Sequence, residues 1–320
     1  MHRNFFAAMN PEVSVVMSVY NGAKTLAPSI QSILSQADVN FEFVIIDDGS
    51  TDGSAAIIDE FARQDSRIKA IYQENQGLTK ALIRGCHEAR GKYIARQDTG
   101  DYSYPGRLKR QADFLSLNPP LAICSSWGRM LGPDNEIIME VKGPADQKLA
   151  THELLYEKKG PPGHGSVMFR KDIYEKVGGY RHQFYYAQDS DLWLRMGREG
   201  LISYIQDYLY EYKMDYSDIS ALRRPLQKRY ADLADACDQA RLNEESEGPY
   251  LEQAIWLRSL VNLKQKKHNE KKYKVDFFIG SCLLEQKNAR AVMYLWRAFC
   301  GCPLDIKIGA KLLWSLFYTR

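Results

Sequence analysis

What this chain lacks narrows it first. No stretch approaches the roughly 18 uncharged residues of a membrane-spanning helix, and the opening MHRNFFAAMNPE has too few consecutive apolar residues for a secretory leader. The expected setting is therefore cytoplasmic, with peripheral attachment at the cytosolic face of the inner or plasma membrane compatible with it. Cysteine is scarce: Cys86, Cys124, Cys237, Cys282, Cys300 and Cys302 show no C-x-x-C pairs, and Cys300-x-Cys302 lacks the second pair that a four-ligand zinc site needs. The familiar phosphate cradles are also missing. No G-x-G-x-x-G follows the first apolar run and no G-x-x-x-x-G-K-[ST] occurs anywhere, which counts against a dinucleotide dehydrogenase and a P-loop NTPase. Internal repeats and low-complexity tracts are absent, the net charge is only +3, and no nucleic-acid partner is expected.

What is present describes a folded enzyme. With 45% hydrophobic and 26% charged residues the chain has ample material for a packed core. Its charge is uneven: 13 Lys+Arg against 5 Asp+Glu from Tyr250 onward give that tail +8 and leave −5 for the rest. A basic tail suits an anionic surface or a solvated helical face.

Periodicity supplies the architecture. Val13–Val19 is a short β-branched run, Leu26, Ile30, Ile33 and Leu34 recur at helical spacing, and Phe41–Asp47 is a second apolar run, making a βαβ unit. A helix begins at Ile57, strands follow at Ile68–Tyr72 and Lys92–Arg96, and another helix lies between them. This alternation predicts an α/β fold with a mostly parallel central sheet and helices on both faces. After Asn118-Pro119-Pro120 shorter strands are expected at 121–125, 136–140, 167–170 and 202–206, with a turn-rich loop at Gly160–Gly165. Beyond about Ala221 the signal is helical. Val292, Leu295, Trp296 and Phe299 share one face, and Ile308, Leu312 and Leu316 alternate with Lys307 and Lys311. That last stripe fits either a face docked on protein or a membrane-surface helix. The expected domains are 1–220, with a nucleotide half near 12–118 and an acceptor half near 119–220, and a helical extension at 221–320.

In an open parallel sheet ligands bind at the carboxyl ends of the strands. Here those ends read Ser18-Val19-Tyr20-Asn21-Gly22, Asp47-Asp48-Gly49-Ser50-Thr51-Asp52-Gly53 and Gln97-Asp98-Thr99-Gly100-Asp101. They are polar and acidic where a glycine cradle would otherwise lie. An acidic crevice repels a diphosphate unless a divalent cation or basic side chains such as Lys158 and Lys159 intervene, and oxygen ligands suit Mg²⁺ or Mn²⁺. Asp47 is equally suited to capping its own turn, and Ser50 to Gly53 to starting the next helix.

Five segments in order, SVVMSVYNG, FVIIDDGSTDGS, ENQGLTKA, GKYIARQDTGD and AQDSDLWLR, resemble the family-2 inverting glycosyltransferases of the GT-A fold. The resemblance spans about residues 12 to 215. It implies that Tyr20 stacks on the nucleobase, that Asp48 hydrogen-bonds the base and that Asp98 holds ribose and metal. Ser18 and Asn21, at the same strand end, join them as donor-contacting candidates. Where the family reads D-x-D this chain has Asp98-Thr99-Gly100, so Asp101 is the candidate to complete the metal site with Asp98. The Gln188-Asp189-Ser190-Asp191 segment resembles the family's E-D motif, with glutamine replacing glutamate. It implies Asp189 as the catalytic base, with Asp191 as its fallback. His164, in the Gly/Pro loop, is a candidate contact to donor or acceptor sugar.

One base suffices for such a transfer, because a nucleoside diphosphate leaves as a stable anion and needs no proton. The expected reaction is transfer of a sugar from a nucleoside-diphosphate donor to the hydroxyl of a carbohydrate or lipid-linked acceptor, in polysaccharide or glycolipid assembly. Two competing readings are a nucleotidyltransferase, which needs no acceptor-side base, and a non-catalytic nucleotide- or sugar-binding module.

Overall fold

The computed structural model describes residues 10–161, 163–214, 219–263 and 272–318. Most of the opening segment read above for a leader, and Pro162 of the Gly/Pro loop, lie outside them. The chain divides into two compact units. One comprises the chain up to Gly128 with Val141–Tyr212 and Tyr230–Ile255; the other comprises Arg129–Glu140, Lys213–Arg229 and the chain from Trp256 onward.

In the first unit the expected alternation is realised as β1 (Val13–Val19), α1 (Ala23–Leu34), β2 (Phe41–Asp47), α2 (Ser54–Gln64), β3 (Ile68–Tyr72), α3 (Leu78–Glu88) and β4 (Tyr93–Arg96). Strands β1 and β2 are buried almost throughout, as parallel strands covered by helices on both faces must be. Within β2, Glu42 is held below the usual carboxylate range: the Ser14 hydroxyl, the Arg90 amide and the Arg90 guanidinium donate to it and outweigh its burial. Helix α3 lies close on the sheet at Gly85, where a Cβ would come within 2.6 Å of Val16.

Beyond β4 come β5 (Tyr102–Ser103), α4 (Arg107–Leu117), β6 (Leu121–Leu131), β7 (Ile137–Val141), α5 (Gln147–Glu157), β8 (Met168–Arg170), α6 (Lys171–Lys176), α7 (Gln188–Glu199) and β9 (Leu201–Lys213). The strand order is β3-β2-β1-β4-β8-β6-β9-β5. Pairing is parallel from β3 to β4 and turns antiparallel at β8. Because β2 and β4 flank β1 on opposite sides, the chain reverses its direction of travel there, and a crevice opens at the carboxyl ends of β1 and β4. The strands expected at 121–125 and 202–206 run on to Leu131 and Lys213. Along β9 that added length carries Tyr208, Tyr210 and Tyr212.

The compact units do not divide at the expected boundary near residue 220. Helix α8 (Ile219–Leu242) and the start of α9 (Gly248–Leu263) put Tyr230, Leu233, Ala234 and Cys237 into buried positions, and Tyr230–Ile255 belongs to the first unit. Ring contacts of Tyr230 with Phe184 and Tyr186 hold this segment there.

The second unit contains α10 (Lys272–Glu285), α11 (Arg290–Gly301) and α12 (Ile306–Tyr318). Val275, Ile279, Leu283, Tyr294, Leu295 and Leu312 form its core together with Ile138. No helix among the described residues is long and apolar enough to cross a membrane.

Candidate active site

The loops at the crevice are stitched together by side chains from neighbouring strand ends. Helix α1 has no cap of its own. Its first amides are met from the β2 loop, with Gly22 N donating to Ser54 Oγ and Ala23 N to Asp52 Oδ2, both at 3.0 Å. Asn21 stands at positive φ; its N–H donates to Ser50 Oγ and its Oδ1 accepts from Thr51 N at 2.8 Å. Asn21 therefore holds the loop that presents Tyr20, whose ring is 56% exposed at the mouth of the crevice. Asp47 caps its turn through Ser50 N. Ser18 offers its carbonyl to Thr99 Oγ1 and so joins β1 to the turn after β4.

Asp48 is buried and accepts from Gln73 Nε2, Gln76 N and Gly77 N at 2.7 to 2.9 Å. A carboxylate offers about four acceptor positions, and the loop from Gln73 to Gly77 uses most of them.

The turn after β4 explains the missing carboxylate. Asp101 N donates to Asp98 O, and Gly100 occupies the third position of that turn with φ +98°, the conformation that favours glycine. Ser29 Oγ accepts from Gly100 N and donates to Asp101 O, pinning the turn to α1. The Asp98 side chain is 37% accessible and pairs through Oδ1 with Arg96 Nη2 at 2.7 Å.

Arg96 was not singled out by the sequence, and it organises the site. Fully buried, its guanidinium donates to Val16 O, to Asp98 Oδ1 and, at 3.3 Å, to His164 Nε2. Because Arg96 can only donate, Nε2 must accept and the imidazole proton sits on Nδ1. The Tyr180 hydroxyl also lies 2.5 Å from Nε2. Burial, with the Arg96 charge beside it, drives the His164 pKa well below its ordinary value, so the ring is neutral. Its Nε2 is thus committed internally, and only the Nδ1–H side is left to meet a sugar.

A second buried cation, Arg107, supports the same turn from behind. Its five N–H groups meet Gln111 Oε1, Gln97 Oε1, Ser103 Oγ, Arg96 O and Gly165 O, and its plane lies over the Tyr210 ring. Tyr210 in turn accepts from Asp98 N.

Asp189 lies in the first turn of α7, where Ser190 N donates to its Oδ1. Burial raises its pKa and the nearby Asp98 charge adds to the rise. Asp191 stands differently. It is fully buried, with Arg181 bonded to both oxygens and Arg195 Nη2 at 2.6 Å from Oδ2. Its oxygens are engaged by two guanidiniums and it has no exposed surface, an environment unlike that of Asp189. Lys158 and Lys159 are likewise committed, to Asp235 and Glu157. Trp193 packs edge-on against His164 and Phe169 as a core side chain.

Among the described residues no group of three or more His, Cys, Asp or Glu side chains is gathered into a metal cage. Asp98 and Asp101 on one short turn provide hard oxygen donors, and Arg96 leaves Asp98 Oδ2 untouched. This set fits a divalent cation shared with a diphosphate, which completes the coordination that two carboxylates cannot.

The family model described as glycosyl transferase family 2 matches residues 14–178. EpsE of Bacillus subtilis (strain 168), named for a glycosyltransferase, is 38% identical over 210 residues, covering 64% of this chain and 74% of that protein. The O-antigen biosynthesis glycosyltransferase WbnJ of Escherichia coli is 32% identical over 188 residues, 58% of this chain and 72% of that one. Among solved structures, the mannosyltransferase PcManGT of Pyrobaculum calidifontis, in complex with GDP-Man and Mn²⁺, superposes with a TM-score of 0.55 at 15% identity over 98% of this chain and 88% of that chain. The ordered motifs, the GT-A sheet with its crevice at the β1/β4 switch point, and these matches agree: the chain is a glycosyltransferase and belongs to glycosyl transferase family 2.

Proposed function

We propose that this enzyme transfers a sugar from a nucleoside-diphosphate donor to an acceptor hydroxyl by a single displacement with inversion, using Asp189 as the base. The observation that supports this reading is the Asp189 carboxyl in the first turn of α7, held by Ser190 N and pushed up in pKa by burial with the Asp98 charge nearby. The acceptor O–H gives its proton to Asp189 as its oxygen bonds to the anomeric carbon. The bond from that carbon to the diphosphate breaks on the opposite side, and the nucleoside diphosphate departs with the electron pair.

Tyr20 stacks on the nucleobase, Asp48 accepts from the base while bracing the Gln73–Gly77 loop, and Asp98 meets the ribose. Asp98 and Asp101 would hold a divalent cation, Mg²⁺ or Mn²⁺, which would supply positive charge to the diphosphate. The Mn²⁺ in the PcManGT complex supports this, as does the paired-carboxylate turn. Ser18, Asn21 and His164 shape the donor side, with His164 offering its Nδ1–H. The acceptor is a carbohydrate or lipid-linked sugar presented at a cytosolic membrane surface, in polysaccharide or glycolipid assembly; the O-antigen biosynthesis for which WbnJ is named supports that class.

The test is a screen of nucleotide sugars with and without Mn²⁺, run on the parent and Asp189→Asn. Transfer should fall by about 10²–10⁴-fold in the variant while nucleotide binding stays within a small factor. A nucleotidyltransferase would keep its activity without this carboxylate, and a binding module would show neither hydrolysis nor transfer in the parent.

A further inference from the structure

The last helix carries two apolar faces. Ile308, Leu312 and Ser315 point inward and are buried, and Leu312 belongs to the core of the second unit. At 100° per residue, Ile306, Leu313 and Phe317 fall within about 40° of one another on the opposite side. They are 86%, 62% and 79% exposed, and Leu304, just before the helix, is 93% exposed. Trp314 widens this outer face on one flank and stacks edge-on with the exposed Tyr318. Lys307 and Lys311 lie just beyond Trp314 on that flank, and Ile306–Tyr318 contains no acidic residue.

We propose that this outer face of α12 is a membrane-docking surface that lies flat on an anionic lipid bilayer. The proposal deepens the reading of a glycosyltransferase working on membrane-presented acceptors, and rests on it for its purpose. Three features select the occupant. A contiguous apolar face this exposed is an interaction site and not ordinary surface. Its tryptophan and tyrosine are the residues that settle at the boundary between lipid headgroups and acyl chains. Its lysine flank, within a tail of net charge +8, complements anionic headgroups and would oppose a second copy of the same basic face.

The buried stripe explains why a helix with this much apolar surface is folded before it meets lipid. Ile308 and Leu312 hold it to protein, which leaves the other side free to insert shallowly. The helix is 13 residues long, too short to span a bilayer.

The test uses the full chain and co-sedimentation with vesicles of phosphatidylcholine alone or mixed with phosphatidylglycerol. The parent should bind the anionic vesicles and bind the neutral ones much less. Leu313→Ser/Phe317→Ser should weaken anionic binding by about tenfold or more, as expected when apolar side chains are withdrawn from the interface. Lys307→Glu should weaken anionic binding at low salt and flatten its dependence on salt.

Circular dichroism and donor hydrolysis, unchanged in these surface variants, would show that the fold and the active site survive. Binding that is equal on neutral and anionic vesicles, absent from both, or unaffected by the double substitution would overturn the proposal. So would a concentration-dependent dimer, abolished by the same substitutions, in a parent that ignores vesicles. Because vesicle binding needs no turnover, its failure is separable from a failure of the sugar-transfer reading.

Discussion

Asp189 answers two demands that oppose each other. A base must be ionised to accept a proton, yet burial and the Asp98 charge favour its neutral form and raise its pKa. Between its unfolded and folded pKa values the native protein binds the extra proton, so stability falls as pH rises through that window and stays lower above it. Asp189→Asn removes this cost and can still accept from Ser190 N. It should therefore unfold at a higher temperature than the parent at neutral pH while losing transfer, which thermal scans beside activity assays will check. The same shift places the acid limb of kcat/KM above the pH that an ordinary aspartate would give, and a limb at the ordinary position would remove Asp189 as the base. Gly100 meets a different constraint. Its φ of +98° makes Gly100→Ala costly by about 1–2 kcal/mol, measurable by denaturant unfolding. Gly100→Asp should incur a similar penalty, so the missing carboxylate of the D-x-D pattern is tied to the shape of this turn.

Helix α7 shows how the element carrying the proposed base is fixed by an ion-pair network around it. A chain of alternating charges runs from Arg195 to Asp191, Arg181, Glu247, Arg241 and Asp238, and returns to α7 at Arg198. Arg181→Met leaves the buried Asp191 with one guanidinium and should cost about 3–5 kcal/mol, the usual penalty for breaking a buried pair from one side. Adding Asp191→Asn should recover part of that loss, and urea unfolding of the two variants separates the outcomes. The sequence pattern revealed α7 and its motif plainly, because Asp189 and Asp191 stand in a short local signature. It did not distinguish the working carboxylate from the clamped one, since Asp191's partner Arg181 and the next link Glu247 are 66 residues apart. Arg96 escaped notice for the same reason: its acceptors come from Val16, Asp98 and His164, which only folding brings together. Periodicity read β1, β2 and β4 closely because their residues are buried almost throughout, whereas β6 and β9 ran past their expected ends into tyrosines and polar residues that carry weaker alternation.

At the scale of the whole molecule, the change from strand to helical signal near residue 220 marks a change of secondary structure without marking the edge of the catalytic unit. Residues 230–255 supply Asp235 to Lys158, Asp238 to Arg198 and Glu247 to Arg181, all three partners lying in the acceptor half. They also bury Tyr230, Leu233, Ala234 and Cys237 in the same unit. Periodicity cannot see this, because a helix docked on its own domain and a helix in an appendage have the same 3.6-residue repeat. A chain ended after residue 220 therefore strips charged partners and apolar cover from the base-bearing α7. The buried aliphatic and aromatic side chains alone are worth about 1.5–3 kcal/mol each, and the abandoned Arg181 and Arg198 add to the loss, against a total stability of about 5–15 kcal/mol. Such a chain should be insoluble or unfolded. In the full chain, Tyr230→Ala should lower stability by about 3–5 kcal/mol without changing vesicle binding through α12. If the chain ending at 220 instead folds, melts cooperatively and turns over donor, the segment from Tyr230 to Ile255 is an ornament and the catalytic unit ends where the strand signal does.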